Sequence, residues 1–376
     1  MPEIKVVVTA YDLVTAYGGG ISSSWEGILS SKSTIKRIER FSTDSFQSNN
    51  AAVVAGLKYF GEDSLVIQML IPLLEKNKDL IPPDALLVLA TTTGEIDILE
   101  QRVLTGNGDA VESKPSSLLE KIKTLSGVRG DGLVISSACT SSSAAIGFAA
   151  SLINSGRRDC VLIVACDAVT EFVFSGFSSL MALDPDKAKP FDKNRAGLSL
   201  GEGAGFILLM SQARAEQEGR TISGEIAGWA ATGDANHMTG PSRDGRGLSL
   251  AIQKALKIAD VSPDDVSCIS SHGTATVYND SMEMKAYNKI FGSRPVPLYS
   301  IKGALGHTMG AAGLIEAIIA FRVLQEKVIP PTVGLKDIDL EAKGWAALEK
   351  RDLKGNVILL NNSGFGGVNA ALVLKQ

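Results

Sequence analysis

Histidine is scarce in this chain, at three residues of 376, and cysteine numbers four. No two cysteines form a CxxC pair, and no histidine stands at zinc-ligand spacing from another, so no metal site is expected. Positive charge is not in excess. Lys and Arg total 37 against 41 Asp and Glu, a formal net charge of −4, which argues against nucleic-acid binding through bulk positive charge. No apolar run approaches the roughly 18 residues that span a bilayer. The start, MPEIKVVVTA, lacks a basic segment followed by an apolar one, so no secretory leader is expected and a reducing cytoplasm is the default location. A Walker lysine motif is also missing.

What is there is ordinary for a globular protein: 45% hydrophobic and 21% charged residues exclude a disordered or fibrous chain. At about 150 residues per domain the length suggests two domains or one duplicated fold. Short aliphatic runs read as buried strands: 4–10, 85–93, 133–138, 160–166 and 205–211, then 266–271, 296–301 and 356–362. Helical patterns alternate with them, which suggests a mostly parallel sheet covered on both faces. The polar link QARAEQEGRTISGE (212–225) separates the two sets and is the expected boundary, giving halves 1–218 and 219–376. The halves look like a weak repeat. Strand LVISSA leads into Cys139 and SSSAAIGFAASLINSG, and strand VPLYSI leads into KGALGHTMGAAGLIEAIIAFRVL with His307. Both following helices are apolar on nearly every face and are expected to be buried, with Gly156 stopping the first. The stretch 94–130 is polar, with a helix expected around 117–124.

Cys160, Cys166 and Cys268 sit in apolar runs and read as small buried hydrophobes. Cys139 differs. A cysteine just before a helix faces unpaired N–H groups and the positive end of the helix dipole, which lower a thiol pKa and activate a nucleophile. His272 follows a strand within SSHGTATVYND, beside the hydroxyls of Thr274 and Thr276; strand ends in α/β sheets collect ligands. Glu316 is a lone acid in an apolar stretch and requires a partner, either Lys302 or a histidine network. NSGFGGVNAALVL is a glycine-rich turn between two strands, where Gly364, Gly366 and Gly367 can aim N–H groups at an oxyanion. The GEGAG run (201–205) has the look of a phosphate loop but lacks dinucleotide spacing.

Together these segments resemble the β-ketoacyl synthase family, of the I/II type with a Cys-His-His triad. The matching segments, in order, are SSACTSSSAAIG, PFDKNRAGLSLGEGAG, DANHMTGPSRDG, SHGTAT, KGALGHTMGAAG and GFGGVN. The resemblance covers nearly the whole chain. It implies a thiolase-like α/β fold, a duplicated five-layer αβαβα sandwich with two mixed five-stranded sheets. It also implies a homodimer built through strands near the nucleophile, with a heterodimer as the alternative.

By this resemblance Cys139 accepts an acyl group from an acyl carrier protein thioester. His272 and His307 polarise the malonyl thioester and stabilise the enolate left by decarboxylation. Lys302 and Glu316 orient the histidines. The N–H groups of Cys139 and Phe365 form the oxyanion hole, and the Phe365 ring gates the pocket. Thr274, Thr276, Gly364 and Gly366 meet the pantetheine arm, and His237 has a structural role. The reaction needs no metal and no cofactor beyond that arm. Val277 stands where many members carry Pro, and Gly303 where many carry Ser or Thr. The carrier protein is acidic, so a local basic patch is expected, with Lys121, Lys123, Arg129, Arg157 and Arg158 as candidates. Two other readings compete: a non-catalytic chain-length-factor-like partner of another ketosynthase, which would be expected to lack the cysteine, and an acyltransferase or hydrolase, which would not need two histidine donors.

Overall fold

The computed structural model describes residues 4–106 and 113–376. The first three residues of the amino-terminal reading, and 107–112 within the stretch 94–130, lie outside them.

Ten strands carry the architecture. The first five are β1 (Val6–Thr15), β2 (Leu86–Ala90), β3 (Gly132–Ile135), β4 (Cys160–Asp167) and β5 (Gly203–Ser211). The second five are β6 (Gly224–Gly233), β7 (Cys268–Ser270), β8 (Leu298–Tyr299), β9 (Val357–Gly364) and β10 (Val368–Lys375). Their spatial orders are β3-β2-β4-β5-β1 and β8-β7-β9-β10-β6. Numbered within its own half, each set therefore runs third, second, fourth, fifth, first. Strand directions repeat as well: the third, second and fourth strands are parallel, and the fifth and first are antiparallel. Each sheet is thus mixed, as expected, with the fifth strand running against the other four. In the second half the short Gly364–Gly367 turn returns the chain directly, which makes β10 antiparallel to β9. The two sheets meet where Val7 and Val8 of β1 pair with Glu225 and Gly224 of β6. The boundary expected at 218/219 falls just past the helix Gln212–Gln217, before β6.

The helices that cover the sheets and frame the site include α1 (Leu65–Asn77), α2 (Ile96–Thr105), α3 (Pro115–Ser126), α4 (Ser141–Asn154), α5 (Glu171–Ser179), α6 (Arg246–Ile258), α7 (Val277–Phe291) and α8 (Ala312–Glu326). One apolar cluster joins α4 and α8 to inward side chains of both sheets. A second joins α1 and α3 to the outer face of the first sheet, and a third joins α6 and α7 to the outer face of the second. The layers are therefore α, β, α, β, α. Helix α8 is buried from Ala312 to Phe321, which explains why its sequence shows no polar face. Helix α4 is less enclosed than expected: Phe148 is exposed on its outer side. It ends as expected at Gly156, φ 71°, whose N–H meets the Ile153 carbonyl while Arg157 N–H meets that of Leu152.

In the stretch 94–130, α3 matches the expected helix, and α2 was not anticipated. The edge strand β3 presents four half-buried residues, GLVI. No helix among the described residues is long and apolar enough to cross a membrane.

Candidate active site

Three loops carry strained backbone beside the candidate residues. Ala138 (φ 46°) precedes Cys139, Ala275 (φ 67°) separates the two threonines, and Met309 (φ 51°) follows His307 by two residues. Non-glycine residues at positive φ are uncommon and cluster where the chain must aim a neighbour. Hydroxyls hold the first of these turns. Ser141 Oγ donates to the Ala138 carbonyl at 2.6 Å and accepts the Ser137 N–H, and Thr140 Oγ1 donates to the Ser137 carbonyl.

These turns bring Cys139, His272 and His307 to one cavity of about 750 Å³, which Thr274, Thr276, Gly364 and Phe365 also line. Cys139 is 7% exposed; the two histidines are 2% and 1% exposed. Their rings sit edge to face with centroids 5.2 Å apart. Hydrogen-bond partners fix both tautomers. His272 Nδ1 faces two donors at 3.2 Å, Lys302 Nζ and Asn362 Nδ2, so Nδ1 is the acceptor and Nε2 carries the proton. His307 Nδ1 accepts the Met309 N–H at 3.2 Å, which likewise leaves the proton on Nε2. His307 Nε2 is buried with no protein partner, a donor held ready for a group the protein does not supply. Burial holds both imidazoles well below the usual histidine pKa, and the Lys302 charge pushes the same way; both rings are neutral.

The thiol behaves differently from the sequence expectation. Burial pushes Cys139 up to about 11, outweighing the opposing pull of Lys302 and of the N–H groups of Phe365 and Cys139 itself. The helix terminus does not yield a standing thiolate, because desolvation of the charged form is the larger effect. The N–H groups of Phe365 and of Cys139 itself act on the sulfur and favour its charged form. Gly364 allows this. A Cβ there would meet Cys139 N at 3.2 Å, so a side chain would push the turn away from the nucleophile. Gly366, φ 84°, makes the turn itself, and its N–H meets the Met238 carbonyl at 2.6 Å. The Phe365 ring stacks on Phe177 at 5.7 Å.

Beneath the histidines, Lys302 Nζ pairs with Glu316 Oε1 and donates to the His272 carbonyl at 2.6 Å. Asn362 Nδ2 donates to Glu316 Oε2 at 2.6 Å, and its Oδ1 accepts Ser143 Oγ–H. Both Lys302 and Glu316 are 2% exposed, so the partner required by the lone acid is indeed Lys302, joined by Asn362. Burial nonetheless raises the Glu316 pKa, against the pull of Lys302. Thr274 and Thr276 hydroxyls lie 3.0 Å apart. His237 is exposed at the rim, where its Nδ1 accepts the N–H groups of Thr239 and Gly240 and so holds its own turn.

Comparison with known proteins agrees with this geometry. Residues 90–215 match the beta-ketoacyl synthase N-terminal domain and residues 223–336 the C-terminal domain. The chain is 30% identical to the 3-oxoacyl-[acyl-carrier-protein] synthase 2 of Vibrio cholerae, over the whole of both chains. The chain belongs to the β-ketoacyl synthase family. Among solved structures, the ishigamide ketosynthase/chain length factor superposes with a TM-score of 0.89 at 28% identity, covering 100% of this chain and 99% of that one. A ketosynthase bound to its hexaketide, in complex with a type II PKS acyl-carrier protein, gives 0.87 at 25%, covering 99% of each. The fold is thus the thiolase-like one expected.

In this β-ketoacyl synthase several supporting residues escaped sequence reasoning. Glu283 accepts the His272 N–H at 2.8 Å and the Gly273 N–H at 2.7 Å, so it holds the HGTAT turn from below. Asp167 does the same for the His307 loop, accepting the Gly310 N–H at 2.7 Å as well as the hydroxyls of Thr91 and Thr92. Each was visible only as an acid inside or ending a buried segment, SMEMKAY and CVLIVACD. The GEGAG run proves to be packing, not a phosphate loop. A Cβ on Gly201 would lie 2.0 Å from the Leu305 carbonyl oxygen, and Glu202 is bound by Arg40 and the N–H groups of Val54 and Val169. Of the basic-patch candidates, Lys121 pairs with Glu95, Lys123 with Glu120 and Arg158 with Asp131.

Proposed function

We propose that the chain is a catalytically active 3-oxoacyl-[acyl-carrier-protein] synthase, performing decarboxylative condensation in fatty acid or polyketide-type elongation. One observation carries this reading: the Cys139 thiol, two neutral Nε2–H donors and two backbone N–H groups converge on one cavity.

The Cys139 sulfur attacks an acyl thioester on the carrier's phosphopantetheine. Because its thiol is a weak acid in the free enzyme, its proton leaves as the bond forms and departs with the released pantetheine thiol. The acyl oxygen rests on the N–H groups of Cys139 and Phe365. Malonyl carrier protein then places its thioester carbonyl between His272 and His307. Carbon dioxide leaves, and negative charge moves onto that carbonyl oxygen, where the two Nε2–H groups meet it. The enolate carbon attacks the Cys139 thioester. The tetrahedral oxyanion returns to the same N–H pair, the carbon–sulfur bond breaks with the electron pair going to Cys139, which takes up a proton from water, and a 3-oxoacyl carrier thioester leaves. Lys302, Glu316 and Asn362 keep His272 in the donating tautomer. Phe365 moves off Phe177 to admit the chain, and Thr274 and Thr276 hydrogen-bond the arm. The edge strand β3 carries the dimer contact, between two copies of this chain.

Incubation with an acyl and a malonyl carrier protein tests the reading. A 3-oxoacyl product supports it. Free acid indicates an acyltransferase or hydrolase, and product only after addition of a second ketosynthase subunit indicates the partner role.

A further inference from the structure

The cavity has a polarity that the condensation chemistry does not explain. Along the segment 272–278 exposure rises stepwise: His272 is 2% exposed, Thr274 4%, Thr276 half-buried and Tyr278 65%. All four line the cavity, so this segment runs from its closed end to its mouth. At the outer end the Arg243 guanidinium lies over the Tyr278 ring, 5.7 Å from its centroid. Among the described lining residues Arg243 is the only Lys or Arg, and none is Asp or Glu. Arg243 makes no ion pair among the described residues. Its neighbour Asp244 is turned into its own loop, accepting the Ser242 hydroxyl at 2.6 Å and the Arg246 N–H at 3.2 Å. A guanidinium pre-placed on an aromatic face, with its N–H fork free, suits an anion with several oxygens.

We infer that Arg243, held by Tyr278, is a positioning residue that binds the phosphate of the phosphopantetheine arm at the cavity mouth. This rests on the proposed function, which puts the thioester at Cys139 and the arm's amides beside Thr274 and Thr276. The arm's phosphate is then the group left at the outer end. The same phosphate chemistry occurs on a carrier protein and on coenzyme A.

The test compares three malonyl donors, on carrier protein, on coenzyme A and on pantetheine without phosphate, with wild type, Arg243→Ala, Arg243→Lys and Tyr278→Leu. Arg243→Ala raises KM about tenfold for both phosphate-bearing donors, the scale of one charge-assisted hydrogen bond, and leaves kcat and the pantetheine donor unchanged. Arg243→Lys restores part of the loss, and Tyr278→Leu gives a smaller loss of the same pattern. Equal effects on all three donors, or none, overturn the assignment. A loss confined to the carrier-protein donor also overturns it, since Arg243 would then read the carrier's acidic surface. Absence of turnover by wild type with every donor would instead defeat the proposed function.

Discussion

Lys302 and His272 are joined twice: the ammonium lies 3.2 Å from the imidazole Nδ1 and donates to the same residue's carbonyl at 2.6 Å. One cation thereby sets the ring's tautomer and fixes its backbone, while Glu316 neutralises it. Removing the cation alone leaves Glu316 buried and uncompensated. Lys302→Met is expected to cost about 3–5 kcal/mol of stability, read by denaturant unfolding. Lys302→Met with Glu316→Leu recovers most of that stability, yet malonyl decarboxylation stays low because His272 remains unheld. Recovery of decarboxylation in the double variant would show that Lys302 is only a structural counter-ion.

The burial of the two histidines makes stability pH-dependent. Both are held neutral in the fold, whereas the unfolded chain takes up protons below about pH 6.5. The unfolded state then binds more protons, so these groups make stability fall as pH drops from 6.5. Asp280, pushed up to about 7, and Asp97, up to about 6, act oppositely; their contribution declines as pH rises from about 4 to 7. A His272→Asn/His307→Asn variant keeps both aspartates. Thermal unfolding from pH 6.5 to 5 should decline less steeply in it than in wild type, and equal slopes would contradict neutral burial.

For the thiol, the expectation is slow alkylation at neutral pH. With Cys139 pushed up to about 11, its iodoacetamide rate in the free enzyme climbs roughly tenfold per pH unit from 7 to 10. A plateau by pH 8 would indicate a standing thiolate.

Phe365 and Phe177 stack on each other and line the same cavity as the nucleophile. Phe365→Ala is expected to raise alkylation of Cys139 by a bulky maleimide several-fold while leaving its pH dependence intact. An unchanged rate would remove the ring from the entry route.

Gly303 has a packing cause. A Cβ there would lie 1.7 Å from the Val333 carbonyl oxygen, backbone that cannot step aside. Gly303→Ser is therefore expected to destabilise the fold by about 1–3 kcal/mol, measured by urea midpoint.

Much of this molecule is legible in its sequence. The aliphatic runs mark eight of the ten principal strands because buried strands carry near-continuous apolar residues. Strand β6, GEIAGWAATG, escaped because glycine and alanine dominate it. Gly228 must be bare there, since a Cβ would lie 2.1 Å from the Ala255 carbonyl oxygen, and no composition signal encodes that approach. Cys139, His272 and His307 were legible through their motifs. The carboxylates of Glu283 and Asp167 were not, because their partners are backbone N–H groups that only the folded chain brings near. The thiol's acidity was misjudged for a related reason: the helix terminus is local, but the burial that outweighs it is tertiary.

The central claim is that Cys139 carries the acyl chain. Intact-protein mass, after incubation with carrier proteins bearing different acyl chains, tests it beside Cys139→Ala. The account predicts a gain of one acyl group in wild type and none in the variant. A gain that persists in Cys139→Ala, or no gain with any donor, would contradict it.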